Sequence, residues 1–360
     1  MINGRLLVCL GQLIVAALFA ASAAAAERAM TLKIATVVPK GSVYHRVLQN
    51  VGEKWRAAQG GKSRLIVYTD SVQGPEAETV RRMRVGQLSG SMLSIVGLSD
   101  IDDSVAVLQK IPLMFRSWDE VDHVRAKLRA ELEEKLRAKG FMVLFWGDGG
   151  WVQFFSNEPR VMPDDYKSAK IFAWAGDIPQ VDLMKSLGYR PVVLELTDIL
   201  PSLQTGMIDT VPAAPIWALA GQFDRTAPHM LRINWVPIVG AVIITRRAWD
   251  MMSQAGQAAL MEASAEAAEE LRSQRDKRDE DIIRALQQRG LKVTSPTPET
   301  ERAWQELARH AWKNGVRGGM VPADMFDKVE QLLAQYRNEK KLACLCPPRG
   351  PLRHGPRMRA

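Results

Sequence analysis

The sequence predicts an α/β fold of two lobes forming a clamp, with crossover strands and a long connecting helix. Three observations carry that expectation. Apolar, β-rich segments alternate with helical faces in the manner of βαβ units. The alternation stops near residue 151 and restarts near 169, which marks two units. The stretch 253–289 then has the signals of one long helix, with a centre free of apolar residues.

The first unit opens with TLKIATVV at 31–38, β-rich and mostly apolar. Tyr44, Val47, Leu48, Val51 and Trp55 follow at helical spacing and form one face. RLIVYT is a second strand, Gly74-Pro75 opens a helix, and SMLSIVG is a third strand. Ser117 and Glu120 have the spacing of a capping box, and Val121, Val124, Leu128, Leu132 and Leu136 carry that helix to Gly140. FMVLFWG is the next strand. A parallel doubly wound sheet suits this order.

WVQFFSNEPRVM at 151–162 reads as a crossover strand. The second unit contains AKIFAWAG as a strand, IPQVDLMKSLG as a helix ending at Gly188, RPVVLE as a strand, a helix from Thr197 to Gly206, and MIDTVPA as a strand. MLRINWVPIVGAVIITRRAW at 230–249 is the return crossover. The expected lobes are 27–152 with about 238–270, and 153–237 with about 271–338 plus bracing helices. Helix 253–289 would span ~50 Å at 1.5 Å per residue. Its charged centre RSQRDKRDED, with Arg272–Asp276, Arg275–Asp279 and Lys277–Asp281 four apart, implies a solvated brace.

The N-terminus implies export. One positive charge lies in Met1–Arg5, Leu6–Ala20 is apolar, and Ala21–Ala26 is small throughout. That is a secretory signal peptide over 1–26, cut after Ala26; a retained anchor is the alternative, but the apolar run falls short of the ~20 residues of a spanning helix. The net charge of +8 includes Arg5 and, after Asn338, Lys340, Lys341, Arg349, Arg353, Arg357 and Arg359, so the body between is close to neutral. The basic character therefore belongs to a Pro-, Gly- and Arg-rich tail at 339–360, expected to be disordered, and not to a nucleic-acid-binding face. Past the signal peptide only Cys344 and Cys346 remain, both in that tail, with no second pair or histidine cluster to make a metal site.

Chemistry-bearing motifs are missing as well. The chain has no GxSxG, P-loop, GxGxxG or HExxH, and His45, His123, His229 and His310 lack ligand spacing. Nothing in the sequence pairs Asp148, Asp177 or Asp209. No catalytic residue, cofactor or metal is expected, and the protein is read as a non-enzyme.

Several segments do form a pattern: IPLMFRSWDEVDHV (111–124), GFMVLFWGDGG (140–150), FSNEPRVMPDDYKSAKI (155–171), LMKSLGYRPVVL (183–194) and LPSLQTGMID (200–209). In this order and spacing, from about Leu32 to Gln335, the chain resembles the DctP-type solute receptors of tripartite ATP-independent periplasmic (TRAP) transporters. The resemblance implies a periplasmic-binding-protein clamp that closes on a solute in the periplasm and delivers it to membrane permease subunits. It also implies that Asp209 belongs to a structural turn.

Three departures set the expected ligand. Relatives that take carboxylates usually carry arginine two residues after the lysine of AKI; here Phe172 follows Lys170 and Ile171. A second family arginine lies four residues before the crossover asparagine, and counting back from Asn157 lands on Gln153. The polar segment after LQTGxxD is here Thr210-Val211-Pro212-Ala213-Ala214-Pro215. Arginine pairs bidentately with a carboxylate and phenylalanine cannot. The expected ligand is therefore largely apolar, lined by Trp151, Gln153, Phe172, Trp174, Ala213 and Trp217, with core or cleft both open for Phe172. Alternatives are a carboxylate receptor whose arginine has moved, to Arg160 or Arg190, an accessory helical-repeat protein, and a secreted carrier or enzyme reusing the clamp.

Overall fold

The structure, a computed structural model, describes residues 29–345. Along the chain come β1 (Thr31–Thr36), α1 (Val43–Ala58), β2 (Arg64–Tyr68), α2 (Glu76–Arg84), β3 (Gly90–Ser94) and α3 (Ile95–Ser99). Then follow α4 (Trp118–Ala138), β4 (Phe141–Trp151), β5 (Gln153–Ser156), β6 (Lys170–Trp174), α5 (Ile178–Ser186) and β7 (Arg190–Leu194). Next are α6 (Ile199–Gln204), β8 (Thr210–Ala213), α7 (Pro215–Gly221), β9 (His229–Leu231), β10 (Pro237–Thr245) and α8 (Arg246–Asp250). The chain continues through α9 (Gln254–Ser273), α10 (Arg275–Gln288), β11 (Lys292–Thr294), α11 (Pro298–Ala311) and α12 (Ala323–Leu345). The strands form two sheets, in the orders β2-β1-β3-β10-β4 and β11-β9-β5-β8-β6-β7.

Two compact units result. Among the described residues, the first holds the chain up to Met92 with Gly140–Phe145 and Val242–Glu270; the second holds Leu93–Lys139, Trp146–Ala241 and the described residues from Leu271 on. Residues 93–139 and 146–152 thus group with the second unit, where the sequence alone places them in the first lobe. α4 shows why: Arg337 and Lys328 of α12 form ion pairs with its Glu120 and Glu131.

The first unit follows the expected βαβ logic. Ser42 caps α1 by accepting the His45 N–H, and Tyr44, Val47, Leu48, Val51 and Trp55 are its buried face. β1 pairs in parallel with β2 and β3. β3 starts at a glycine for steric reasons, because a Cβ on Gly90 would lie 2.3 Å from the Ile243 carbonyl oxygen.

The second unit departs from a purely parallel sheet. β6 runs parallel to β7 and β8, but β5 lies antiparallel between β8 and β9. Both faces of this sheet are covered. One face gathers Phe155, Phe172, Val211 and Ala213 with Leu203 of α6, Ala218 of α7, and Ile283 and Leu286 of α10. The other gathers Phe154, Ile171 and Leu231 with Tyr166 and Trp304. Successive strand residues point to opposite faces, so Phe154 and Phe155, or Ile171 and Phe172, belong to different cores.

Three expectations need correction or fall outside the described residues. The helix at 253–289 is two helices, interrupted at Gln274 with φ −106° and ψ −2°. Its charged centre is not simply solvated, because Arg275 is buried and ion-paired. α12 continues through 339–345, so the start of the tail is helical; residues 346–360 and the expected signal peptide at 1–26 lie outside the described residues.

Trp304 is 2 % exposed and its Nε1 donates to the Val161 carbonyl at 2.8 Å. Trp304→Ala removes that ring from the core and is expected to cost about 3–5 kcal/mol, read as a lowered midpoint in urea denaturation.

Candidate ligand site

Parallel strands of an α/β sheet commonly hold ligands beyond their carboxyl ends. In the second unit β6, β7 and β8 end together, at Trp174, Leu194 and Ala213. The antiparallel β5 starts at that same end, with Gln153 opposite Ala213. The parallel match of Ile171 with Thr210 sets Trp174 level with Ala213. Gln153, Trp174 and Ala213 are thereby brought together, and Phe172 lies two residues below Trp174.

The other expected residues join them unevenly. Phe172 is 8 % exposed and, with Ala213, belongs to the buried core, against which Trp174 and Trp217 pack half-buried. Trp151 stacks on Trp118, with ring centroids 5.0 Å apart. Gln153 is committed to its own unit: its Oε1 accepts the N–H groups of Ile233 and Asn234, and its Nε2 donates to Asn234 Oδ1 at 2.7 Å.

Charge at this end is arranged in pairs. Asp177, three residues beyond β6, caps α5 by accepting the Gln180 N–H. It also receives the buried Lys110 ammonium at 2.9 Å. Asp148 accepts from both Arg125 and Arg275, and Asp122 does the same from the other side. Asp148 is 3 % and Arg275 5 % exposed. Burial pushes the Asp122 carboxyl up, but hydrogen bonds from Arg275 and the nearby charges hold it below its ordinary value. Arg275 also lies over the Trp118 ring, 4.8 Å from its centroid. Asp148 and Asp177, unpaired by any sequence signal, are therefore structural ion-pair partners.

Asp279 differs. A Cβ on Gly150, where φ is +93°, would sit 3.1 Å from the Ala214 methyl and 3.4 Å from both Asp279 carboxylate oxygens. Glycine is what lets this carboxylate and the loop after β8 approach β4 so closely. Burial pushes the Asp279 carboxyl up to about 6; Arg278 opposes that, and Asp276, Glu280 and Asp148 reinforce it.

The two arginines offered as relocated anchors are placed elsewhere. Arg160 donates to the Asp165 carbonyl at 2.8 Å and lies 3.9 Å from Asp209. Asp209 in turn accepts the Lys170 N–H and the Thr210 hydroxyl, so this is the structural turn expected for it. Arg190 is paired with Lys170 at the amino end of β7, opposite to the end where Trp174 and Leu194 lie.

Sequence reasoning missed Trp118, Arg125, Arg275, Asp279 and the Lys110–Asp177 pair. The run RSQRDKRDED did carry a signal, since charges inside a helix can be paired inward as readily as solvated. Lys110 and Asp177 are 67 residues apart and leave no local trace.

Comparison with known proteins gives a consistent picture. The family model described as bacterial extracellular solute-binding protein, family 7 (DctP), matches residues 34–317. The C4-dicarboxylate-binding periplasmic protein DctP of Rhodobacter capsulatus is 23% identical over 276 residues, covering 76% of this chain and 81% of its own. A TRAP periplasmic solute binding protein from Sulfurospirillum deleyianum, solved with bound succinate, superposes with a TM-score of 0.77 at 22% identity over 84% of this chain and 99% of its own. Another from Roseobacter denitrificans, with bound L-galactonate, gives 0.76 at 20% identity over 85% and 99%. At these identities the solved structures show the shared two-lobed fold.

Two outcomes follow from the charge arrangement. Asp148→Ala leaves Arg125 and Arg275 sharing Asp122, with one positive charge uncompensated, and is expected to cost about 3–5 kcal/mol in urea denaturation. Asp279 titrates above its ordinary value of 3.8 in the folded chain. Between about pH 4 and 6 the folded state keeps a proton that the unfolded chain releases, so its contribution to stability falls as pH rises through that window. Asp279→Asn is expected to flatten the Tm profile over that range and to raise Tm relative to wild type above pH 6.

Proposed function

Because the chain belongs to the DctP family, bacterial extracellular solute-binding protein family 7, a family of receptors and not of enzymes, we propose that it captures a solute with a largely apolar body and hands it to TRAP permease subunits. Export by a cleaved signal peptide, residence in the periplasm and closure of two lobes on the solute are part of this reading. So is an accessory helical-repeat protein as a partner in delivery.

One observation carries the ligand class. On β6, at the position where the resemblance places an arginine in carboxylate receptors, Phe172 joins Ala213 in an apolar wall that Trp174 and Trp217 extend toward the carboxyl end. Three cations of this part of the unit, Lys110, Arg125 and Arg275, are each held by an aspartate. A carboxylate placed there loses its water shell without gaining a free cationic partner, a cost of several kcal/mol. Apolar surface gains ~25 cal/mol for each Å² removed from water. Gln153 keeps one amide N–H for a polar end.

Calorimetry tests this with matched compounds: succinate and D-galacturonate against indole and a medium-chain alcohol. The apolar pair is expected to bind at least about tenfold tighter, and Phe172→Ala to weaken it by about tenfold or more, the scale of one buried aromatic contact. Micromolar succinate or galacturonate binding that survives Phe172→Ala would establish a carboxylate receptor with a different anchor.

A further inference from the structure

On the face of the second sheet opposite Phe172, the covering helices leave a space. A cavity of about 80 Å³ lies there, floored by Phe154, Ile171 and Pro212 and roofed by Leu183 of α5 and Ala311 of α11. Pro212 belongs to the apolar run that replaces the family's polar segment, so that departure shapes this face as well as the other. We propose that the cavity is a second binding site, for a single-ring aromatic molecule carrying one hydrogen-bond acceptor, independent of the solute site beyond β6 and β8.

The chemistry of the walls sets the ligand. Trp304 lies 5.0 to 5.5 Å from the rings of Phe154, Trp235 and Tyr166, all four of which line the cavity. Three polar atoms of the wall are used by backbone carbonyls: Trp304 Nε1 by Val161, Tyr166 Oη by Arg160, and Tyr189 Oη by Pro163. A water needs two to four polar partners, whereas rings and short apolar groups fill such a space without any.

One end is different, and it offers donors. Gln109, Lys110 and Gln180 line it. The Gln109 Oε1 is used by the Val239 N–H at 2.9 Å, which leaves its amide NH₂ for a ligand. Lys110 is neutralised by Asp177 and holds further N–H groups. The Gln180 side chain has no hydrogen bond among the described residues. A neutral acceptor oxygen satisfies this end, and a second anion would compete with Asp177 for the same ammonium.

The space is about half the ~150 Å³ of an apolar cavity that takes benzene, so a ring enters as Met184 and Met320, whose unbranched side chains adjust to a guest, move aside. A surface groove of about 450 Å³ shares Leu187, Tyr189 and Leu307 with it, which gives a route in by side-chain rotation.

The test uses the full chain with xenon, benzene and phenol as probes. Crystals under xenon pressure, or soaked with phenol, are expected to show density between Phe154, Leu183 and Trp304. In calorimetry phenol is expected to bind about tenfold tighter than benzene, one hydrogen bond's difference, and Gln180→Leu to reduce that ratio. Ala311→Leu fills the cavity and is expected to weaken both probes at least tenfold with an unchanged far-UV circular dichroism spectrum. Should that variant not fold, Leu183→Ala enlarges the space and is expected to tighten benzene several-fold. Density beyond β6 and β8 but none in the cavity, or probe affinity unmoved by the folded Ala311→Leu or Leu183→Ala variant, overturns the second site and leaves the reading of the first untouched.

Discussion

Arg275 stands inside the second unit only because Asp122 and Asp148 meet it there, with Arg125 completing a four-charge cluster. A guanidinium at 5 % exposure would otherwise carry an uncompensated desolvation cost. Much else is placed by this contact. Arg275 is the first residue of α10, so the cluster fixes where that helix starts relative to α4 and β4. α10 then delivers Ile283 and Leu286 to the core around Phe172 and sets Asp279 against Gly150 and Ala214. The same arginine lies over Trp118, which carries Trp151. An isolated apolar substitution could match the stability of such a cluster, but it would not specify a direction of approach as the bidentate Arg275–Asp122 and Arg125–Asp148 pairs do.

The second constraint is alternation along β5, β6 and β8. Each strand sends neighbouring residues to opposite cores, so one short sequence difference acts on both. Phe172 and Ala213 shape the face that meets α6, α7 and α10, while Ile171 and Pro212 shape the face under α5 and α11. The apolar run at 211–213 therefore contributes to two surfaces with different chemistry. The carboxyl end of the sheet gains an aromatic and methyl wall, and the opposite face keeps an aromatic-lined space closed at one end by amide and ammonium donors.

Much of this was legible from residues. The α/β order, the capped helix from Ser117, and the strand holding Phe172 all follow from period and punctuation, which local sequence encodes well. The grouping of 93–139 with the second unit was not legible, because it depends on ion pairs between α4 and α12 more than 190 residues apart. Helical periodicity also cannot distinguish charges facing water from charges facing aspartates supplied by another element, and so 272–281 reads as solvated when Arg275 is not. At the site, the apolar character of Phe172 and of 211–215 was legible from the residues themselves. The commitment of Gln153 to Ile233 and Asn234, which reduces what it can offer a ligand, required the strand pairing to be seen.

The relatives solved with succinate and L-galactonate raise the question of how this end of the sheet would hold an acid. A carboxylate needs a cation whose charge is not already spent. Drawing Lys110 toward a ligand would leave Asp177 buried with its partner lost, and Asp177 also holds the first turn of α5. Drawing on Arg125 or Arg275 would leave Asp148 and Asp122 sharing one arginine, with one negative charge uncompensated. Stranding one member of a buried pair costs about 3–5 kcal/mol, roughly the whole gain of a charge-assisted contact with a new acid. Asp279, with its carboxyl already pushed up to about 6, adds repulsion for any anion that approaches Gly150 and Ala214. Burying apolar surface against Phe172, Trp174 and Ala213 disturbs none of these pairs. These ion pairs, held by Asp177, Asp148 and Asp122, are what support the proposed reading of an apolar solute at this end of the sheet.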